Sequence, residues 1–424
     1  MREMKDSGIE WIGQIPKDWA VKNLKYIFDI TSGSTPASSV SKYWDGDIKW
    51  ITPADFKTND VYVFGGRRNI TGLGLMSCST QIIPDNSIIF SKRAPIGSVV
   101  ITGEKTCINQ GCLALVSKHQ KTSVKFYYYA LSILDKIFDM LGSGTTFKEI
   151  SAFRFCNTSL QCPHFEEQQQ IANYLDTQCS ELDATAEDIQ KEISLLEDYK
   201  KSVITEAVTK GLNPDAEMKD SGIEWVGKVP VTWKIMPNKY IMTKKKVIKE
   251  VYDNENIISL SMNGVIVRDL EAGGKMPKTF DGYQIVYPGN LLMCLFDYDV
   301  TPRCIGLIKD YGVTSPAYSQ FVMNNDNYSG YYYYYYLMID HAKTLLHLAK
   351  NLRHSFTEEQ LGAILAPVPT VEEQYQIVNY LGSKCSEIDT LIADKKRQLD
   401  ILADYKKSLI YEYVTGKKEV PVNE

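Results

Sequence analysis

A nine-residue string that occurs twice constrains this chain more than any other feature of it. Glu3-Met-Lys-Asp-Ser-Gly-Ile-Glu-Trp11 recurs unchanged as Glu217 to Trp225, and the match continues through Gly13/Gly227, Pro16/Pro230 and Trp19/Trp233 at an offset of 214. A second repeat opens at Pro163 and Pro369. It pairs Glu166-Glu167-Gln168 with Glu372-Glu373-Gln374, Tyr174-Leu175 with Tyr380-Leu381, and Cys179-Ser180-Glu181 with Cys385-Ser386-Glu387. Asp198 to Ser202 also equals Asp404 to Ser408, at an offset of 206, so the block between the repeats is eight residues shorter in the second copy. Those blocks, about residues 20–160 and 234–366, share little sequence. Two near-identical frames thus hold two divergent inserts. Shared frames imply a shared partner or geometry, and divergent inserts imply two different ligands of one general kind.

The frame after Pro163 has helical periodicity. Leu175, Leu182, Ile189, Leu196 and Val203 recur every seven residues, and Gly211 followed by Pro214 marks the stop. In the second copy Thr370 and Glu373 form a capping box before the row Leu381, Ile388, Lys395, Leu402, Leu409, in which Lys395 interrupts the stripe. The pattern predicts helices over 166–209 and 372–415, the first about 66 Å long. Neither helix buries its stripe alone; packing the two against each other does, and makes them rigid spacers. The inserts are patterned as short strands, Ile48–Trp50, Ser87–Phe90, Ser98–Ile101 and Cys112–Val116 in the first, then a helix over Phe126–Leu141. The second gives Leu291–Leu295, Ile305–Lys309 and Gln320–Met323, then Tyr331–Leu348. The expected fold is mixed α/β.

Composition narrows the class. Hydrophobic content of 44% with 23% charged residues is that of a folded, soluble protein, and no run of about 18 apolar residues predicts a membrane span. The charged start Met1-Arg2-Glu3 has no apolar core behind it, so no secretory signal is expected, and nine cysteines without a C-x-x-C pair fit reduced thiols in the cytoplasm. The net charge of −5 opposes a polyanionic partner on average, but the charge is unevenly placed. Residues 20–161 hold 16 Lys+Arg against 10 Asp+Glu, whereas residues 162–216 hold 4 against 12. The second insert, 234–366, is nearly balanced at 14 against 13. Nucleic-acid binding needs a basic face, which the first insert supplies.

These residues resemble type I restriction specificity subunits over essentially the whole chain. The resemblance rests on Ser7-Gly-Ile-Glu-Trp11 with Pro16 and Trp19, then Ser32-Gly-Ser-Thr-Pro36 followed by Tyr43-Trp44 and Trp50. Arg93-Ala-Pro-Ile-Gly97 and the twice-occurring Glu-Glu-Gln before a long helix complete it. It implies two target-recognition domains, each reading half of a bipartite, asymmetric double-stranded DNA site, on two antiparallel coiled-coil helices with a pseudo-twofold repeat. The boundaries are then 1–161 and 217–366 for the recognition domains, and 162–216 and 367–424 for the spacer helices. It further implies docking to two methyltransferase subunits that methylate adenine with S-adenosylmethionine, and through them to restriction/translocase subunits using ATP and magnesium. The chain itself would be non-catalytic, without cofactor or metal. One departure is that the second insert offers Thr243-Lys-Lys-Lys246 where the first has Gly-Ser-Thr-Pro and Tyr-Trp.

Signatures of catalysis do not assemble. There is no Asn/Asp-Pro-Pro-Tyr/Phe tetrapeptide, and the P-loop-like Gly222 to Lys228 lacks the following Ser/Thr. Pro84-Asp85 is not followed by a second acid near Lys92, and five histidines fall at no ligand spacing. The Tyr331–Tyr336 run aligns with Phe126–Tyr129 and is expected in the core. Phosphates attract Lys and Arg, and base edges pair with Arg, Asn, Gln, Ser or Thr. Candidate DNA contacts are therefore Thr35, Lys42, Lys49, Arg67, Arg68, Lys92, Arg93, Asn109 and Thr146 in the first insert. In the second they are Lys245, Lys246, Asn263, Arg268, Lys275, Arg303, Arg353 and Ser355. A stand-alone nuclease or methyltransferase would act on DNA without partners, and a protein scaffold would leave DNA unbound. If the helices are the spacer, lengthening the first near Thr209 by four residues, about 6 Å, alters the spacer of the methylated motif and leaves both half-sites alone. Sequencing the host methylome checks this, and a changed half-site would contradict it.

Overall fold

A computed structural model describes residues 2–57, 60–93, 95–143, 148–271, 277–349 and 354–421. The chain forms two compact units, Met1–Gln190 with Arg397–Glu424, and Lys191–Lys396. Each unit contains one copy of the repeated string, folded as a β-hairpin: Met4–Asp6 against Gln14–Pro16 in the first, Met218–Asp220 against Lys228–Pro230 in the second. Gly8, Gly13, Gly222 and Gly227 all sit near φ +70, where a side chain is strained, which accounts for glycine at both places in both copies. The P-loop-like string is thus the turn of a hairpin.

In the first unit, after a strand at Ala20–Asn23 and a short helix at Leu24–Ile27, the two sheets are built from β1 (Phe28–Ser32), β2 (Trp44–Ile51), β3 (Arg68–Ile70), β4 (Ile88–Ser91), β5 (Val99–Thr102), β6 (Cys107–Ile108) and β7 (Cys112–Ser117). One sheet runs β1-β7-β4-β5 with Tyr62–Val63 at its edge, and a second runs β6-β2-β3. The central strands are apolar throughout because both faces are covered. Ile88, Phe90, Leu113 and Leu115 face a core with Trp19 and Phe126, whereas Ile89, Cys112 and Ala114 face Ile51, Ile83 and Ile108 beneath the smaller sheet. The helix expected over 126–141 is two, α1 (Val124–Ser132) and α2 (Asp135–Leu141). The break lies where Gly97 abuts the Asp135 backbone, a Cβ on Gly97 falling 2.7 Å from Asp135 Cα. Side-chain periodicity carries no sign of such a neighbour.

The long helix α3 (Phe165–Lys210) follows. The second insert repeats the main sheet as β8 (Met242–Lys245), β11 (Leu291–Met293), β12 (Ile305–Leu307) and β13 (Ser319–Met323), in the order β8-β13-β11-β12. Between β8 and β11 lies a tight hairpin, β9 (Ile258–Ser261) with β10 (Gly264–Val267). Helix α4 (Ser329–His341) buries Tyr331, Tyr332, Tyr335 and Tyr336, as expected of core residues. The last helix, α5 (Val371–Val414), has 44 residues against 46 in α3. Among the described residues no helix is long and apolar enough to cross a membrane.

The Glu-Glu-Gln motif staples each insert to the start of its own long helix. Fully buried Trp19 donates its indole N–H to Glu167 at 2.9 Å, and Trp233 does the same to Glu373 at 3.1 Å. Gln168 donates to Pro163 O and accepts from Ser123 N; Gln374 donates to Pro369 O and accepts from Tyr328 N. A buried amide with both ends satisfied fixes the entry angle of the helix.

The far end of the other long helix completes each core. Leu409, Ile410, Tyr413 and Val414 of α5 lie in the core of the first unit, where Gln161 donates to Val414 O at 2.8 Å. Val203, Ile204, Ala207 and Val208 of α3 lie in the core of the second, where Tyr331 donates its hydroxyl to Val208 O at 2.8 Å. The helices run antiparallel within each unit: Asp183 pairs with Lys406 at 2.6 Å in the first, and Asp389 with Lys200 at 2.6 Å in the second. These two ion pairs are each other's images under the offset of 206. Lys395, which breaks the stripe, reaches Glu192. Of the predicted stripe, Leu175, Val203, Leu381, Ile388 and Leu409 are buried, whereas Leu182, Ile189, Leu196 and Leu402 are half-buried and Ile193 and Ile392 are buried beside them. Val414→Asp places an unpaired charge in the first core and should cost at least about 3 kcal/mol. Hydrogen exchange should then speed up in β4 and β7, more than 290 residues away in sequence; exposure confined to α5 would contradict this packing.

Candidate nucleic-acid interface

The first insert gathers three of the expected residues, Thr35, Arg93 and Asn109, at one edge of its sheets. Their meeting depends on a close backbone approach. Gly33 lies against the turn between β6 and β7, where a Cβ would fall 2.0 Å from Ile108 O. Ser34 N then donates to Ile108 O at 3.1 Å, and the Trp50 indole N–H donates to Ser34 O at 3.1 Å. This explains the Ser32-Gly-Ser-Thr-Pro36 and Trp50 motifs as parts of one clamp. Thr35 donates its hydroxyl to the Gln110 side-chain oxygen, which sequence reasoning did not single out. Asn109 is held by its N–H on Ile51 O at 3.0 Å, and its side chain accepts from Gly111 N at 2.9 Å.

The Arg93–Gly97 loop approaches the same turn. Ser91, fully buried, donates to Arg93 O and Pro95 O at 2.8 Å each, and Gly97 takes φ +99 to close the loop. Gly111 leaves room for Arg93 Nε and Asn109 Oδ1, which a Cβ there would meet at 3.0 and 3.1 Å. Lys92 is turned away and paired with Glu149 at 2.8 Å. Burial pushes the Cys107 thiol up to about 11 and raises Cys112 further, so both flanks of the turn stay protonated near neutral pH.

A second basic group lies on β2 and β3. The Arg68 guanidinium sits 4.0 Å from the Trp44 ring, and Arg67 is tied to Asp55 and to Ala54 O. Lys49 is half-buried beside Gly65, and Lys42 is exposed. Thr146 lies outside the described residues, as do Lys275 and Arg353 of the second insert.

The second insert is built differently. Lys245 lies over the Tyr287 ring at 3.8 Å, next to exposed Lys246. Arg303 is committed inward, donating to Met262 O at 3.0 Å, to Ile305 O at 3.2 Å and to the Tyr333 hydroxyl. It braces the β9–β10 hairpin and holds exposed Asn263 at the tip, while Arg268 and Ser355 are half-buried. Tyr287 escaped the sequence reading, and Tyr333 was expected only as a core residue, because aromatic partners of a cation leave no local pattern. Among the described residues no group of three or more His, Cys, Asp or Glu is placed to hold a metal ion. Gly33→Ala should force the clamp apart at about 1–3 kcal/mol and raise the exchange rate of the Ser34 amide; unchanged protection there would show that the two loops are not coupled.

Comparison with known proteins agrees with this architecture. The family model described as the type I restriction modification DNA specificity domain matches residues 16–195. The MjaIX type I restriction enzyme specificity subunit of Methanocaldococcus jannaschii is 36% identical over 188 residues, which are 44% of this chain and 43% of the relative. The putative MjaX specificity subunit of that organism is 30% identical over 201 residues, 47% of this chain and 44% of the relative, so the chain spans under half the length of these two. The MjaVIII specificity subunit, also from that organism, is 22% identical across 96% of this chain and 94% of its own. In three dimensions, a chain from a structure described as underlying complex assembly and conformational transition of the type I R-M system covers 95% of this chain, and 99% of its own length, with a TM-score of 0.71 at 12% identity, a likeness of fold. Doubled frame, twin sheets and these likenesses point the same way: residues 16–195 match the type I restriction modification DNA specificity domain, and the chain is similar to type I specificity subunits.

Proposed function

We propose that this chain is the DNA-recognition subunit of a type I restriction–modification complex, reading a bipartite asymmetric site with its two inserts and performing no chemistry itself. The observation that carries this reading is one sheet order built twice on near-identical frames, with different chemistry at the edges. A fixed frame with a variable edge is what reading two half-sites of one duplex requires. Phosphate contacts would come from Lys42, Lys49, Arg67, Arg68 and Lys246, and base contacts from the turn holding Thr35, Arg93 and Asn109 and from Asn263 on its braced hairpin. S-adenosylmethionine, ATP and magnesium would serve the partner subunits, in the cytoplasm. The assembled complex should bind duplex DNA at about 50 mM salt and weaken steeply as salt rises, and adenines methylated in the host should define one bipartite motif. Binding that ignores salt, or the absence of such a motif, would refute the reading.

The partner number follows from the repeat. Leu195 and Tyr199 on α3 recur as Ile401 and Tyr405 on α5, and all four are exposed, at 68, 50, 62 and 54%. Large apolar side chains repeated on the surface at equivalent places suit two copies of one docking subunit, here the methyltransferase, with the restriction/translocase subunit joining through it. Leu195→Glu with Tyr199→Glu should leave the fold intact and reduce bound methyltransferase subunits from two to one. Native mass spectrometry reads the count, and retention of both would contradict this docking face.

A further inference from the structure

Gln110 is exposed at the tip of a turn, where a long side chain is ordinarily disordered, yet here its amide is held. The Thr35 hydroxyl donates to its Oε1, and both loops beneath are pinned: Asn109 N on Ile51 O at 3.0 Å, Cys112 N on Asn109 O at 3.1 Å, and Ser34 N on Ile108 O at 3.1 Å. An ordered polar side chain at the surface, supported by a second layer of hydrogen bonds, is the requirement for reading a base edge. We propose that Gln110 reads one adenine of the half-site contacted by the first insert, with Thr35 as its positioning residue; the proposal rests on the DNA-recognition reading above.

The chemistry selects the base. With Oε1 fixed by Thr35, the amide keeps one order of acceptor and donor. Oε1 retains a second lone pair to accept from adenine N6–H, and Nε2 donates to adenine N7. Guanine presents two acceptors on that edge and leaves Oε1 facing another oxygen. Arg93, across Gly111 from Asn109, brings positive charge to the same turn. Strand register places Ala114 of β7 against Thr31 and Gln320 of β13 against Lys245, which sets Gln110 level with Pro316 of the second insert. A proline side chain has no polar group to offer a base, so this reader belongs to one half-site alone.

The test uses the chain assembled with its methyltransferase subunits, comparing unaltered protein with Gln110→Ala, Thr35→Val and Thr35→Ser. Methylome sequencing identifies the motif, and binding to duplexes with single base-pair changes measures discrimination. Gln110→Ala should relax a single A·T position in one half-site, with discrimination there falling roughly 5- to 150-fold, and leave the other half-site unchanged. Thr35→Val should relax the same position, and Thr35→Ser should restore it, which a merely structural effect would not do. Relaxation at a G·C position, uniform weakening across all sequences, or an intact motif would each overturn the assignment. If the unaltered complex itself showed no motif, the DNA-recognition reading would fail first, and the two failures are thereby told apart.

Discussion

Each insert depends on the end of the long helix that does not directly follow it. The core of the first unit is closed by Leu409, Ile410, Tyr413 and Val414, and that of the second by Val203, Ile204, Ala207 and Val208. Carbonyls at equivalent positions, Val414 and Val208, each accept a hydrogen bond from an insert side chain. Burial of these residues, at about 1.5–3 kcal/mol for a large apolar side chain, links the integrity of the first main sheet to a segment more than 290 residues later in the chain, and that of the second to a segment that precedes it. The helices therefore do more than pair with each other. They are part of both cores.

That dependence explains which parts of the chain are repeated. Trp19 and Trp233, Glu167 and Glu373, and Gln168 and Gln374 occupy buried or hydrogen-bonded places that a substitution would leave unsatisfied. The edges of the inserts carry no such burden. The first uses a long connection from β2 to β3 bearing Asp55 and Arg67, where the second has a two-residue turn at Met262-Asn263. The chemistry at these edges therefore differs between the inserts while the frames stay the same.

Much of this was legible in the sequence, for reasons that differ between elements. The long helices announced themselves through seven-residue spacing, and the central strands through continuous apolar runs. The sheet edges β1 and β8 were not foreseen, since Phe28–Ser32 and Met242–Lys245 mix charged and apolar residues as edge strands do. Basic residues were easy to nominate, but their orientation was not. Arg303 and Arg93 look alike in sequence; one is spent on Met262 O and Ile305 O, while the other lies at the Asn109 turn. Gln110 was overlooked because its significance comes from Thr35, 75 residues earlier.

The central claim is that the inserts carry the sequence preference and the frames carry the assembly. Its most direct measurement is the methylome of cells whose chain has residues 20–162 replaced by residues 234–368. The account predicts an assembled complex that methylates a new bipartite motif, with the half-site of the second insert now present on both sides. An unchanged methylated motif from the assembled complex would contradict it.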